Sequence, residues 1–196
     1  VTTSRTTEYP VDPLFTDRWS PRALTGEAID EPTLLSFLEA ARWAPSSSNI
    51  QPWRFLYGRA GTAAWTPIFD ALVPFNQGWA QRASALVAVL SITHSTAPGA
   101  SSPSPVPTHA FDTGAAWASL AFQAHLSGWI THGMAGFDHA KLRAGLGIPD
   151  DVATHAVIAI GKLGDKAILP EPLQAREAPS GRLPLKAIAA EGPYAF

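Results

Sequence analysis

A sandwich in which helices cover a β-sheet is the fold the sequence predicts, of α+β or α/β class. Apolar runs of strand length lie far apart in the chain, and segments with helical periodicity stand between them. A long Ala-rich helix precedes a Pro-rich tail with little core-forming pattern, which favours a dimer with exchanged arms. The 196 residues suffice for one domain with a real core, or for a compact unit completed by dimerisation. The whole chain, 1–196, reads as one domain with an N-terminal arm (1–13), a Pro/Ser loop (95–107) and a C-terminal arm (164–196).

The elements follow in order. Leu14 to Leu24, with Arg18, Ser20 and Arg22 around Pro21, predicts a short helix or turn. Asp30 caps a helix whose first turn holds Glu31 and Pro32, a favoured place for proline. Leu34, Phe37, Leu38 and Ala41 give that helix one apolar face, and Pro45 ends it. Trp53 to Tyr57 reads as a strand. Thr62 is expected to cap a helix through Leu72, and Pro74 and Gly78 to bracket a turn carrying Asn76 and Gln77. Ser84 to Thr93 is a continuous apolar strand, buried on both faces. Thr108 to Ser127 is the strongest helix, with Trp117, Leu120, Ala121 and Ala124 on its packing face and Gly128 as its stop. Trp129 to Met134 is a short strand. Asp138 caps a helix through Ala144 with Gly145 as its C-cap, and His155 to Leu163 is a second buried strand.

Composition excludes several chemistries. The chain has no cysteine, which removes disulfides, thiolate metal sites and a cysteine nucleophile. Any redox chemistry must therefore come from a cofactor. A net charge of −2 gives no argument for nucleic acid or a membrane surface as partner. No apolar run reaches the roughly 20 residues that span a bilayer, and Val1 to Pro10 lacks an export-signal pattern, so a cytoplasmic protein is expected. The six histidines show no metal-ligand spacing. Ser46, Ser47 and Ser48 lack a hydrolase nucleophile elbow, and no Gly-rich phosphate cradle is present. Seven tryptophans suit cores, interfaces and planar ligands.

The segment Ala44-Pro45-Ser46-Ser47-Ser48-Asn49-Ile50-Gln51-Pro52-Trp53 packs hydroxyls and amides into a turn fenced by prolines. Such a turn suits a fixed polar ligand. Arg18 and Ser20 near one end of the chain and Arg182 near the other offer forks and a hydroxyl that match phosphate oxygens. Each arginine alone reads as a solvated charge. Together with the turn they matter only if the fold joins them.

A resemblance joins them. Its carriers are Arg18-Trp19-Ser20-Pro21-Arg22-Ala23-Leu24 and the run from Leu38-Glu39-Ala40-Ala41-Arg42 through Gln51-Pro52-Trp53-Arg54-Phe55. Asn76, Asp112-Thr113-Gly114-Ala115-Ala116, Gly133-Met134-Ala135-Gly136-Phe137-Asp138 and Gly181-Arg182-Leu183-Pro184-Leu185 follow in order. In these residues the chain resembles the FMN-dependent nitroreductase family, from about Phe15 to Ile188 apart from the Pro/Ser loop. The resemblance implies an α+β three-layer sandwich with a central mixed sheet flanked by helices. It also implies an intertwined homodimer whose C-terminal arm crosses to the partner.

The resemblance further implies a role for each site residue. Arg18 and Ser20, with Trp19 beside them and Arg182 from the tail, should bind the FMN phosphate. Arg22 and Asn76 should lie at the pyrimidine edge of the flavin. Pro45, Ser46, Ser47 and Asn49, in the turn that Gln51 closes, should come from the other subunit. Backbone at Ala135 and Gly136 should face flavin N5. The pattern is departed from at Ala135, where an acidic side chain is common, at Ser180, where a second basic residue is common, and at Trp19. Ser180 leads to the expectation of a thinner phosphate shell. The implied activity is ping-pong hydride transfer from NAD(P)H through bound FMN to an electron-poor small molecule such as a nitroaromatic or quinone, with no protein acid or base required. The alternatives are a specialised flavin oxidase or dehalogenase of the same family, and a flavin-binding protein with little turnover.

Overall fold

The computed structural model describes residues 5–196, so the first four residues of the expected N-terminal arm lie outside the described residues. Four strands form the main sheet: β1 (Trp53–Arg59), β2 (Ala85–Ile92), β5 (Ile130–Met134) and β6 (Val152–Gly161), in the order β1-β2-β6-β5. Each pairing is antiparallel, for example Phe55 opposite Val89 and Val87 opposite Ile158. The sheet implied to be mixed is therefore antiparallel within this chain.

Alternation along β2 explains how the sheet is covered. Leu86, Ala88 and Leu90 point to one apolar cluster, which holds Ala23, Leu24, Ile68, Leu72, Trp79 and Leu142. Ala85, Val87 and Val89 point to the other, which holds Leu34, Phe37, Ala41, Ala116, Leu120 and Ala124. The first side is covered by α3 (Trp65–Ala71), α4 (Pro74–Ala80) and α6 (His139–Leu146), the second by α2 (Glu31–Arg42) and α5 (His109–Leu126). With apolar neighbours on both faces, β2 reads as a continuous apolar run from Ala85 to Leu90.

Local chemistry accounts for α2. The Asp30 carboxylate accepts the Thr33 N–H at 2.6 Å, and Pro32 sits in the first turn. Four expectations shift. The stretch from Pro74 to Gly78 is the start of a helix, not a turn, because Asn76, Trp79 and Ala80 are buried along one helical face. Thr62 does not cap α3: its hydroxyl donates to the Arg59 carbonyl at 2.8 Å, and the helix begins at Trp65. Helix α6 runs past Gly145 to Leu146 and is closed by Gly147 at φ +63°, in the left-handed region. Gly145 serves packing instead, since a Cβ there would lie 3.0 Å from the Pro67 side chain of α3. Strand β6 starts at Val152, ahead of His155, because Val152 and Thr154 pair with Ile92 and Leu90.

The Pro/Ser segment contains a two-residue ribbon, β3 (His94–Ser95) against β4 (Ser104–Pro105), anchored by buried Val106. Before the first sheet strand, α1 (Pro13–Asp17) is capped by Asp12. In the C-terminal arm, α7 (Glu171–Gln174) buries Leu173. Beyond Gly181 every residue is exposed, including Leu183, Ile188, Tyr194 and Phe196. Among the described residues, no helix is long and apolar enough to cross a membrane.

Candidate functional site

A cleft of about 410 Å³ is lined by Arg5, Arg18, Trp19, Ser20, Arg22, His132, Gly133, Arg176, Ala178, Ser180 and Arg182. Five of these residues are arginines and none is a carboxylate. The loop after α1 carries Arg18 to Arg22, β5 contributes His132 and Gly133, and the C-terminal arm brings Arg176 to Arg182. Thus the fold does bring Arg18, Trp19, Ser20, Arg22 and Arg182 together. Arg5 and Arg176 line the same cleft beside Ser180.

The guanidinium groups raise each other's energy. Burial holds Arg18 below its ordinary pKa, and the nearby charges of Arg5 and Arg182 depress it further. Loss of solvent also lowers Arg5, with Arg182 adding to the effect and Asp17 opposing it. Arg22 is lowered by burial first, partly offset by Glu177. Among the described residues its Nε is buried without a hydrogen-bond partner, as is that of Arg5. Like charges converging with unused donors form a site built for an anion that accepts several hydrogen bonds, and a phosphate group fits that donor set.

Glu177 holds the loop in place. Its Oε1 accepts the N–H groups of Arg22 at 2.5 Å and Ala23 at 2.7 Å, and Oε2 lies 4.0 Å from the Arg22 guanidinium. His132 supports the same loop: its Nδ1 lies 3.1 Å from the Pro21 carbonyl, which only accepts, so Nδ1 carries the proton. Burial lowers the His132 pKa, the Pro21 carbonyl opposes this, and Arg22 adds to it, so the ring is neutral near pH 7. Arg5, Arg176, Glu177 and His132 were missed by sequence reasoning. The one signal was the charge pair Arg176-Glu177 in a stretch otherwise rich in proline and small residues.

The polar turn lies outside this cleft, beside the start of α5. Pro45, Ser47, Asn49 and Gln51 are exposed and Ser46 is half-buried. Ser48, Asn49 and Gln51 all have positive φ, at 49°, 55° and 53°. Each such residue costs on the order of 1–3 kcal/mol and persists only where its surroundings impose it. The anchor is Asp112, a buried carboxylate that accepts the Ser47 N–H at 3.2 Å and the Thr108 hydroxyl at 2.9 Å. Within the turn, the Ser46 hydroxyl accepts the Gln51 N–H at 3.0 Å, and Arg54 donates to the Gln51 carbonyl at 3.0 Å.

Asn76, Ala135 and Gly136 form a third group, also outside the cleft lining. The Asn76 side chain is buried and donates to the Gly136 carbonyl at 2.9 Å, which also accepts the Val73 N–H at 3.1 Å. Its amide thereby holds the β5–α6 connection. With that carbonyl committed, only N–H groups remain for a ligand at Gly136. Buried Ser91 hydrogen-bonds both His109, at the start of α5, and His155 at 2.7 Å. Among the described residues, no group of three or more His, Asp or Glu side chains is placed to hold a metal.

The sequence pattern of the Nitroreductase family matches residues 15–63, which span the first cleft segment and the polar turn. A solved structure described as an oxidoreductase containing FMN is 48% identical, with a TM-score of 0.94, covering 100% of this chain and 99% of its own. The chain belongs to the nitroreductase family. A Desulfovibrio desulfuricans structure in complex with FMN, provisionally described as a nitroreductase, has the same fold, at 24% identity, a TM-score of 0.73 and coverage of 96% and 100%. Two curated relatives match over 84 residues: an uncharacterized 15.4 kDa protein of Mycolicibacterium smegmatis, 44% identical, and a Streptomyces coelicolor protein provisionally named an NADH dehydrogenase/NAD(P)H nitroreductase, 33% identical. The chain spans 56% and 39% of the lengths of these two relatives.

Proposed function

We propose that this nitroreductase-family protein binds FMN and uses NAD(P)H to reduce an electron-poor small molecule such as a nitroaromatic or quinone. The observation that carries this reading is the meeting of Arg18, Ser20 and Arg182, from opposite ends of the chain, in one cleft without a carboxylate in its lining. FMN, when bound, supplies the hydride-accepting and hydride-donating chemistry.

The chain's own residues bind and orient. Arg18, Ser20 and Arg182 hold the phosphate, and Trp19 walls the cleft. Arg22, kept in place by Glu177, presents a cation toward the electron-rich edge of a reduced ring. Neutral His132 fixes the Pro21 carbonyl and so the path of that loop. Asn76 sets the backbone at Ala135 and Gly136 through one amide N–H, and its second N–H serves the pyrimidine edge of the flavin. Pro45, Ser46, Ser47, Asn49 and Gln51, clamped by Asp112, are offered to the FMN of a second subunit. The exposed apolar residues of the C-terminal arm, among them Leu183, Ile188 and Tyr194, support a layered sandwich paired as an intertwined homodimer. The chain acts as one domain, in the cytoplasm.

An absorption spectrum of the purified protein, before and after anaerobic addition of NADPH and then NADH, tests this. A flavin spectrum that bleaches with either donor is expected. A protein that stays colourless with excess FMN overturns the reading. The double variant Arg18→Ala/Arg182→Ala should lose flavin and keep the thermal stability of the apoprotein. Stoichiometric flavin in that variant overturns the phosphate assignment.

A further inference from the structure

Two side chains tie the N-terminal arm to neighbouring segments, and one of them, Arg5, lines the cleft. The Arg5 Nη1 donates to the carbonyls of Thr16 and Arg18, both at 2.9 Å, at the end of α1. These bonds use one nitrogen of the fork. Its Nε is buried with no partner among the described residues, and the group lines the cleft with Arg18, Ser20 and Arg182. Three residues on, the Glu8 carboxylate accepts the Leu185 N–H at 2.7 Å, close in sequence to Arg182. The arm thus bridges the first cleft segment and the C-terminal arm.

We propose that residues 5–8 form a phosphate-linked clasp, in which Arg5 is a further phosphate ligand beside Arg18 and Arg182 and Glu8 ties the C-terminal arm over the cleft. This rests on the reading that the cleft takes the phosphate of FMN. The physical reason is charge. Arg5, Arg18 and Arg182 repel one another when they converge, and hydrogen bonds to backbone carbonyls offset that only in part. A phosphate near pH 7 carries about −1.5 to −2 charge, which turns the repulsion into a shared attraction. Docking of the arm and binding of the phosphate therefore strengthen each other, and the coupling is reciprocal. Bidentate geometry matters, because two guanidinium nitrogens remain for the ligand after Nη1 is committed to the carbonyls.

The test compares FMN with riboflavin, which lacks the phosphate, by flavin fluorescence titration of the apoprotein. The wild type should prefer FMN. Arg5→Ala should weaken FMN binding by roughly tenfold or more, the loss of one charge-assisted hydrogen-bonding group, and leave riboflavin binding unchanged. Arg5→Lys, which keeps the charge and loses the fork, should fall between. Glu8→Gln should weaken FMN binding less than Arg5→Ala. In hydrogen exchange on the wild type, inorganic phosphate should protect amides of both arms together.

The failures are separable. A wild type that binds riboflavin as tightly as FMN overturns the phosphate reading of the cleft itself. A wild type that prefers FMN while Arg5→Ala keeps the full preference overturns the clasp and leaves the cleft reading standing. Equal weakening of FMN and riboflavin in both Arg5→Ala and Arg5→Lys also overturns it, since Arg5 would then only hold α1 in place.

Discussion

Replacing Glu177 by alanine should destabilise the protein far more than a residue of the C-terminal arm would suggest. The side chain is 3% exposed, and one carboxylate oxygen receives two backbone N–H groups, from Arg22 and Ala23. A hydrogen bond to a charged group contributes about 1.5–3 kcal/mol, and a buried donor left without a partner costs a comparable amount. Two such donors, together with an uncompensated Arg22, put the loss at about 3–5 kcal/mol. Against a typical total of about 5–15 kcal/mol, that is about a fifth of the stability or more. Glu177→Gln keeps an acceptor oxygen and should cost only about 1–2 kcal/mol. Urea denaturation of the apoprotein at one fixed protein concentration measures both, the fixed concentration keeping any contribution from assembly constant. A loss below about 1 kcal/mol for Glu177→Ala would refute the reasoning, because two buried donors cannot be abandoned so cheaply unless water reaches them.

Two further outcomes are expected. Asp112→Ala removes the anchor of a turn that holds three left-handed residues, so it should lower thermal stability by about 2–3 kcal/mol and weaken flavin binding, while Asp112→Asn, which retains an acceptor, should recover most of both. The second concerns pH. His132 and His155 have pKa values lowered mainly by burial, with Arg22 adding to the first and His109 and His139 to the second. Both prefer to be neutral when folded. Their contribution is complete above the unfolded value of about 6.5 and is lost as pH falls through the folded values. Chemical denaturation between pH 7.5 and pH 5 should show stability falling below about pH 6.5, with a shallower slope in His132→Gln/His155→Gln. An unchanged slope would assign the acid sensitivity to other groups.

Local chemistry, legible in the chain, determined α2, β2 and the class of fold. Asp30, Pro32 and the spacing of Leu34, Phe37 and Ala41 act within one or two helical turns, and an unbroken apolar run needs no distant partner to be read as a buried strand. Arg18, Ser20 and Arg182 were legible through likeness to a family, and the structure then placed them in one cleft. The rest depended on contacts between distant segments. Nothing near Glu177 marks it as the acceptor for Arg22, 155 residues away. Arg5 reads as a charge on a loose arm until the carbonyls of Thr16 and Arg18 orient it. Pro74 and Gly78 look like the ends of a turn, and burial of Trp79 and Ala80 against the sheet makes the segment a helix. Gly145 and Gly147 are equivalent caps in sequence, and the approach of Pro67 to Gly145 decides between them. Periodicity and capping are short-range and survive in one dimension, whereas the pairing of charges and the close approach of backbones are set only when the sheet brings the ends of the chain together.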